Sequence, residues 1–140
     1  MRPLAHEIVL TEFDRRRLHG LLQVLRKRSA VDASNLDALE LELERAQVVP
    51  AECLPANVVS MNSRVILLDV DRGDQTTLSL VFPDARNHDG AAVPVLSPLG
   101  LALLGCREGD EMEWATHEGP RRLRVERVTY QPEAAGDYFS

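Results

Sequence analysis

Leucines at helical spacing organise the first third of the chain. Four of them recur at i, i+3, i+4 and i+7, which is one apolar stripe of an amphipathic helix. They are Leu18, Leu21, Leu22 and Leu25. Thr11 is a suitable N-cap, and Asp14, three residues later, favours the helix N-terminus. The pattern predicts a helix over 12–28, with Gly20 inside it at a cost of about 1 kcal/mol relative to alanine.

A second apolar seam follows a short loop at 29–33. Its members stand 3, 4 and 3 residues apart, as in a coiled coil: Leu36, Leu39, Leu43 and Ala46. Ser34 or Asn35 is expected to cap this helix. We predict that it ends near Val48, because Pro50 cannot continue it.

Two such helices joined by a short loop are expected to pack antiparallel and hide their leucines. Their charges agree, since residues 11–28 carry a net charge of +4 and residues 32–45 a net charge of −4. The alternative interpretation is that these charges only solvate two exposed faces. The hairpin would project about 22 Å as a short finger. Asp37 falls in the first turn of the second helix, and Leu41, off the seam, is expected to contact the next domain.

The remaining chain alternates between short apolar strands and turns. The predicted strands are 64–70, 76–82, 93–96, 111–116 and 122–130. Gly73 lies in the turn between the first two, where a positive φ is expected. In the last strand the apolar phase shifts between Val125 and Val128, which predicts a β-bulge.

One short helix interrupts these strands. Ser97 caps it, Pro98 takes its first position and Gly105 follows its last turn, so the helix is predicted over Pro98–Leu104. Its side chains are apolar on nearly every face, which predicts burial under the sheet.

The predicted architecture is therefore α+β: a short N-terminal antiparallel helical hairpin, followed by an antiparallel sheet wrapped around one short helix. The predicted divisions are the hairpin at 1–49, a proline-containing linker at 50–57 and the larger domain at 58–140. Before the first helix, Ile8–Leu10 could form an edge strand that pairs within the chain or with a second copy.

Composition narrows the class of protein. A length of 140 residues suits one domain with a small appendage. All of the net charge of −6 lies in residues 50–140, which disfavours direct nucleic-acid binding and favours a protein partner with a basic surface. With two cysteines, no signal peptide and no apolar run of about 20 residues, we expect a cytoplasmic protein that does not enter a membrane.

Residues suited to catalysis are few, and none form a recognisable set. The four histidines stand in unrelated segments, without metal-ligand spacing: His6, His19, His88 and His117. Cys106 follows the glycine that ends the short helix and is expected to be a packed side chain. We therefore predict a non-enzyme with no metal and no cofactor.

Several stretches resemble known families. The run Leu96-Ser97-Pro98-Leu99-Gly100-Leu101-Ala102-Leu103-Leu104-Gly105, followed by Arg107-Glu108-Gly109-Asp110, resembles the C-terminal domain of the Gre transcript-cleavage factors. Val59-Ser60-Met61-Asn62-Ser63-Arg64-Val65 and Tyr130-Gln131-Pro132-Glu133-Ala134-Ala135-Gly136-Asp137-Tyr138 are similar to the family of regulators of nucleoside diphosphate kinase, Rnk. The latter are bacterial relatives of the Gre factors with a shortened hairpin. The resemblance covers nearly the whole chain and implies an FKBP-like sheet.

The resemblance also implies a partner, RNA polymerase, bound at the mouth of its secondary channel. Carried over residue by residue, the docking surface is Ser97 and Pro98, with Leu96 and Leu99 beside them. Leu96 departs from the Gre pattern, in which an acid often precedes the Ser-Pro. The alternative is that Ser97 and Pro98 only begin the short helix. The two roles, docking and capping, are compatible.

Gre factors stimulate RNA cleavage through two acids at the tip of a long coiled coil, where carboxylates help to hold a second Mg²⁺. Here the tip loop holds one acid, Asp32, and the next, Asp37, lies five positions on. The resemblance therefore implies a regulator that competes with Gre-type factors for the channel without stimulating cleavage.

Two other classes remain open. FKBP-like domains elsewhere are prolyl isomerases with aromatic pockets, and the aromatic side chains available are Phe82, Trp114, Tyr130, Tyr138 and Phe139. The other class is a nucleic-acid-binding protein, which the negative charge of the larger domain disfavours.

Overall fold

The computed structural model describes residues 8–28, 33–83, 91–116 and 118–136. Within these ranges, three α-helices and seven strands follow one another, with a short 3₁₀ helix at Ala51–Cys53. They are β1 (Val9–Thr11), α1 (Glu12–Arg26), α2 (Ala33–Arg45), β2 (Gln47–Val49), β3 (Arg64–Asp69), β4 (Gln75–Val81), β5 (Ala91–Pro94), α3 (Pro98–Leu103), β6 (Glu111–Thr116) and β7 (Gly119–Tyr130). None of the helices in these ranges is long and apolar enough to cross a bilayer. The predicted α+β class and the N-terminal helical hairpin are confirmed.

The helical hairpin differs from its prediction at the ends of α2. Thr11 caps α1 as predicted, since its Oγ1 accepts a hydrogen bond from the N–H of Asp14 at 3.0 Å. The second helix, however, begins at Ala33, before either predicted cap, and ends at Arg45. Asp37 is consequently its fifth residue, so the prediction that Asp37 lies in the first turn is wrong. The residues after Arg45 are extended because they pair with another strand.

The extended residues Gln47–Val49, which form β2, pair with β1. Val9 lies opposite Gln47 and Thr11 opposite Val49 in a parallel two-stranded sheet. The N–H of Gln47 also donates to the carbonyl of Ile8 at 2.9 Å. The segment Ile8–Leu10 therefore pairs within the chain, and this parallel sheet joins the two ends of the hairpin.

The larger sheet has the strand order β5-β4-β3-β7-β6. Three of its four pairings are antiparallel, as predicted, but β4 and β5 run parallel, with Leu78 opposite Ala91 and Val81 opposite Pro94. The sheet is therefore mixed but mostly antiparallel, and the parallel pairing of β4 with β5 is its one departure from the predicted antiparallel sheet. A tight turn cannot join parallel neighbours, and the longer connection between β4 and β5 gives the chain room to return.

The bulge predicted in the last strand is confirmed. Ile66 pairs with Arg127 and Leu67 with Val125, so Glu126 is an extra residue on β7. This bulge lies between Val125 and Val128 and accounts for the change of apolar phase there. A second register shift lies between Arg64 and Val65, where Thr129 is the extra residue.

The hairpin and the sheet share one hydrophobic core. Its buried members come from α1, α2, the central strands and α3, and include Leu18, Leu22, Leu39, Leu43, Val65, Leu67, Leu80, Leu103 and Leu104. The leucines of the hairpin thus pack against the larger domain as well as against each other, and the expected free finger is corrected. Leu41 is 49% exposed, so the expectation that it contacts the next domain is wrong.

Candidate functional site

The segment between β5 and α3 carries the residues expected to dock on a partner. The Oγ of Ser97 accepts a hydrogen bond from the N–H of Gly100 at 3.0 Å and donates to the carbonyl of Pro94 at 2.7 Å. Ser97 is therefore the N-cap of α3, as predicted, and Pro98 occupies the first turn. These two hydrogen bonds fix the direction in which the segment leaves the sheet.

Close packing of α3 against the end of β5 also holds this segment in place. A Cβ at Gly100 would overlap the main-chain oxygen of Pro94, so only glycine permits this approach of α3 to the end of β5. At the other end of the helix, Gly105 has a φ of +78° and lies against the side chain of Ile8. Ile8, immediately before β1, therefore packs directly on the end of α3.

The four predicted docking residues are unequally exposed. Pro98 is exposed, and Leu96 and Ser97 are half-buried. Leu99 is 9% exposed and belongs to the shared core. The exposed surface of this segment is consequently centred on Pro98, and Leu99 belongs to the core.

The hairpin contacts this segment directly. The Nδ2 of Asn35, in the first turn of α2, donates a hydrogen bond to the carbonyl of Leu96 at 2.9 Å. Sequence reasoning treated Asn35 only as a possible cap and missed this contact, because a side chain of a predicted helix end carries no sign of a partner 61 residues away.

The two acids predicted for the hairpin tip have different outcomes. Asp32 lies outside the described residues. Asp37 is exposed and forms an ion pair with Arg26 at 2.9 Å, and Arg26 also contacts Glu40 at 2.8 Å. The hydrogen bond that Arg26 donates to Asp37 raises the pKa of Arg26, against some desolvation. Near the tip the opposed charges of the two helices therefore meet, as predicted.

A buried polar cluster joins the base of the hairpin to the larger domain. Asp14 is fully buried, and its two carboxylate oxygens accept hydrogen bonds from Arg17 at 2.6 Å and from the N–H of Met61 at 3.0 Å. Desolvation raises the pKa of Asp14, although both hydrogen bonds oppose the shift. The guanidinium of Arg17 lies between two rings, 4.3 Å from the centroid of Phe13 and 4.7 Å from that of Phe82.

The same cluster brings together the two stretches that resemble Rnk. The Oγ of Ser60 donates to Glu133 at 2.6 Å and lies 2.9 Å from the Oγ of Ser63. Desolvation raises the pKa of Glu133, against the hydrogen bond from Ser60, and the negative charge of Asp14 raises it further. The Nε2 of Gln131 donates to the carbonyl of Val58 at 2.7 Å. These stretches thus act structurally, by holding the C-terminal segment beneath the hairpin.

The cysteine and one of the aromatic residues considered for catalysis are both covered by other groups. In the described ranges, no group of three or more histidine, cysteine, aspartate or glutamate side chains could hold a metal ion. Cys106 is buried, and its Sγ lies 2.9 Å from the carbonyl of Ala102, which confirms it as a packed side chain. Phe82, one of the aromatic residues considered for an isomerase pocket, is covered by Arg17.

Comparison with known proteins assigns both halves of the chain. Residues 54–130 match the family described as transcription elongation factor GreA/GreB, C-terminal, and residues 6–49 match the family described as Rnk N-terminus. The chain is 37% identical to the regulator of nucleoside diphosphate kinase of Escherichia coli K12, over 94% of this chain and 96% of that protein. It is 30% identical to the transcription elongation factor GreA of Helicobacter hepaticus, over 88% of this chain and 79% of that protein.

A solved structure agrees with these matches. The prokaryotic transcription elongation factor GreA/GreB from Nitrosomonas europaea superimposes with a TM-score of 0.74 and 36% sequence identity, and covers 89% of this chain and 99% of that one. Sequence and fold therefore agree over both the hairpin and the sheet. The chain belongs to the family of regulators of nucleoside diphosphate kinase, whose C-terminal domain is that of the GreA and GreB transcription elongation factors.

Proposed function

We propose that this protein is a transcription regulator that binds RNA polymerase at the rim of its secondary channel. There it competes with Gre-type factors and does not stimulate transcript cleavage. Membership of the family supports the assignment to transcription, since GreA relatives bear the name of transcription elongation factors. The polymerase site rests on the likeness of the segment around Ser97 and Pro98 to the Gre factors.

The observation that carries the docking proposal is the rigid presentation of Pro98. Its position is determined by the Ser97 cap and by the contact between Gly100 and Pro94. A preorganised apolar side chain loses little conformational entropy when it binds, so more of its contact energy appears as affinity. The acidic residues of 50–140 add attraction toward a basic partner surface.

The absence of cleavage is proposed from the hairpin. At about 1.5 Å per residue, the 13 residues of α2 span about 20 Å, and the leucines of the hairpin are committed to the shared core. Asp37 is already paired with Arg26. A short hairpin held against its own domain, with that acid engaged, is poorly suited to carry paired carboxylates into a distant active centre.

Binding is tested by retention of the protein on immobilised core RNA polymerase, with a Gre-type factor as competitor. The variant Pro98→Ala should weaken retention about tenfold, because it removes the exposed ring at the centre of the surface. Pro83→Ala, at another exposed proline, is the matched control and should bind like the wild type. Retention that ignores the competitor would contradict the secondary-channel site.

Cleavage is tested on stalled, backtracked elongation complexes with saturating protein. We expect release of short 3′ RNA fragments at the intrinsic rate, with the wild type and with Asp32→Asn. Fragment release above that rate, lost in Asp32→Asn, would make the protein a cleavage factor.

A further inference from the structure

A groove lies along one side of α1, where the helix passes β2. Its volume is about 510 Å³, and it is open to solvent along its length. The lining residues are Glu12, Arg15, Arg16, His19, Gly20, Gln23 and Val48. Neither the shared core nor the segment around Pro98 includes this surface, so the proposed function does not account for it.

The charge of the groove is positive, although the protein as a whole is acidic. Two guanidinium groups and one imidazole face a single carboxylate, that of Glu12. Arg15 uses its Nε to donate to the carbonyl of Leu43 at 3.4 Å. Within the part of the chain that the structure describes, Arg16 and His19 form no ion pair.

The other two arginines of α1, unlike Arg16, are held in ion pairs. Arg17 is committed to Asp14 and to the rings of the buried cluster, and Arg26 to Asp37 and Glu40. Arg15 contributes to the pairing of the two helices through its Nε, whereas Arg16 and His19, among the described residues, are used neither in that pairing nor in the attachment.

Gly20 gives the groove its depth. It stands four residues after Arg16, on the same face of the helix, where glycine costs about 1 kcal/mol relative to alanine. A Cβ at this position would meet no described atom within 4 Å, so packing within the chain does not require glycine. The missing side chain leaves room for an incoming group beside Arg16.

Apolar side chains lie at the margins of this basic surface. Val48 is 39% exposed and forms part of the wall, and Val24, one turn after Gly20, is 50% exposed. Side chains of this kind favour an occupant that combines carboxylates with apolar groups, which is the composition of an acidic protein segment. A nucleic acid carries phosphate charges far beyond the groove, where the acidic residues of 50–140 would repel it, whereas a short acidic segment can lie within the groove.

We infer that this groove binds an acidic segment of RNA polymerase, with Arg16 and His19 facing its carboxylates. The inference rests on the proposed function, which supplies the partner. It assigns the protein two contacts of opposite sign: the acidic sheet domain faces a basic surface, and the basic groove faces an acidic one. Two contacts of opposite sign also fix the orientation of the protein on its partner.

The test uses core RNA polymerase free of nucleic acid, with affinity measured as a function of salt. Arg16→Glu and His19→Glu should each weaken binding about tenfold at low salt, because the first reverses a charge and the second places a negative charge where a hydrogen-bond donor stood. Arg16→Lys should bind within about twofold of the wild type, because it keeps the charge. Gly20→Leu fills the groove without changing the charge, and it should also weaken binding about tenfold.

Arg127→Glu is the matched control, since Arg127 is exposed on β7 and its reversal changes the net charge by the same amount as Arg16→Glu. It should bind like the wild type, and thermal unfolding checks that each variant is folded. If the wild type binds and the groove variants bind equally well, the groove assignment is wrong and the proposed function stands. If the wild type does not bind the polymerase at all, both fail.

Two further outcomes would overturn the assignment by naming another occupant. A defect of Arg16→Glu that appears only with polymerase carrying DNA and RNA would show that the groove faces nucleic acid. A wild-type dimer in sedimentation that Arg16→Glu converts to a monomer would show that a second copy fills it.

Discussion

The side-chain amide of Asn35 donates a hydrogen bond to the main-chain oxygen of Leu96, 61 residues later, at 2.9 Å. One residue lies in the first turn of α2, and the other immediately precedes the Ser97 cap of α3. At the opposite end of the hairpin, the carboxylate of Asp14 holds the N–H of Met61. The hairpin is thus attached to the larger domain near both of its ends, and one attachment adjoins the proposed docking segment.

Removing the contact at the tip end should destabilise the protein modestly. Asn35→Ala leaves the carbonyl of Leu96 without its side-chain donor, and we expect a loss of about 1 kcal/mol in the free energy of unfolding. Urea denaturation measures it. Asn57→Ala, at an exposed asparagine, is the control and should unfold like the wild type. Equal midpoints for both variants would show that this hydrogen bond contributes nothing to stability.

The same substitution at two glycines should have opposite effects. Gly20→Ala adds a Cβ into open space within α1 and should stabilise the protein by about 1 kcal/mol. Gly100→Ala places its Cβ against the main chain at Pro94 and Val95, which cannot move aside as a flexible side chain would, and should destabilise by about 3 kcal/mol. Thermal unfolding of the two variants side by side distinguishes them. A Gly100→Ala variant as stable as the wild type would contradict the close approach of α3 to β5.

Much of this architecture could be predicted from local signals. The Thr11 and Ser97 caps each depend on a side chain and an N–H three residues away, so residue type and spacing suffice to find them. The register shift at Glu126 left its trace in the order of apolar residues along β7.

Contacts between distant segments could not be predicted in this way. The apolar pattern predicts that the second helix continues to about Val48, whereas Gln47–Val49 is extended, because its partner, β1, lies across the whole hairpin. Likewise, nothing local to Ser60 or Glu133 indicates that the two meet, or that Arg17 lies near both Asp14 and Glu133. The resemblance to Rnk identified these stretches, and only the fold explains their common role in attaching the C-terminal segment.

The buried carboxyl of Glu133 should make part of the stability depend on pH in an unusual direction. Desolvation raises its pKa in the folded protein, against the hydrogen bond from Ser60, so the folded state binds this proton more tightly than the unfolded chain does. The contribution of Glu133 therefore becomes more favourable as the pH falls from neutrality toward the ordinary glutamate value of about 4.3.

Glu133→Gln should remove that contribution. A glutamine oxygen can still accept the hydrogen bond from Ser60, and no charge remains to be desolvated. We expect the variant to equal or exceed the wild type in stability at pH 7, with the difference shrinking as the pH approaches 4.5. Glu113→Gln, at an exposed glutamate of β6, is the control. A difference between the two proteins that is the same at every pH would show that the ionisation of Glu133 does not contribute to the pH dependence of stability.

Asp69, at the end of β3, should make the free energy of unfolding depend on pH in the opposite direction to Glu133. Desolvation alone would raise its pKa, but the hydrogen bonds from Arg121, 2.8 Å away at Nε, and from the N–H of Arg72 outweigh it and lower the pKa. A carboxyl with a lowered folded pKa contributes stability above its unfolded value of about 3.9, and this contribution is lost as the pH falls through the folded pKa.

Asp69→Asn should therefore be less stable than the wild type at pH 7 and approach it below about pH 4. Urea denaturation between pH 3 and pH 7 measures the difference, with Asp74→Asn, at an exposed aspartate of the same turn, as the control. A gap that stays constant across this range would place the role of Asp69 in the geometry of the turn rather than in its charge.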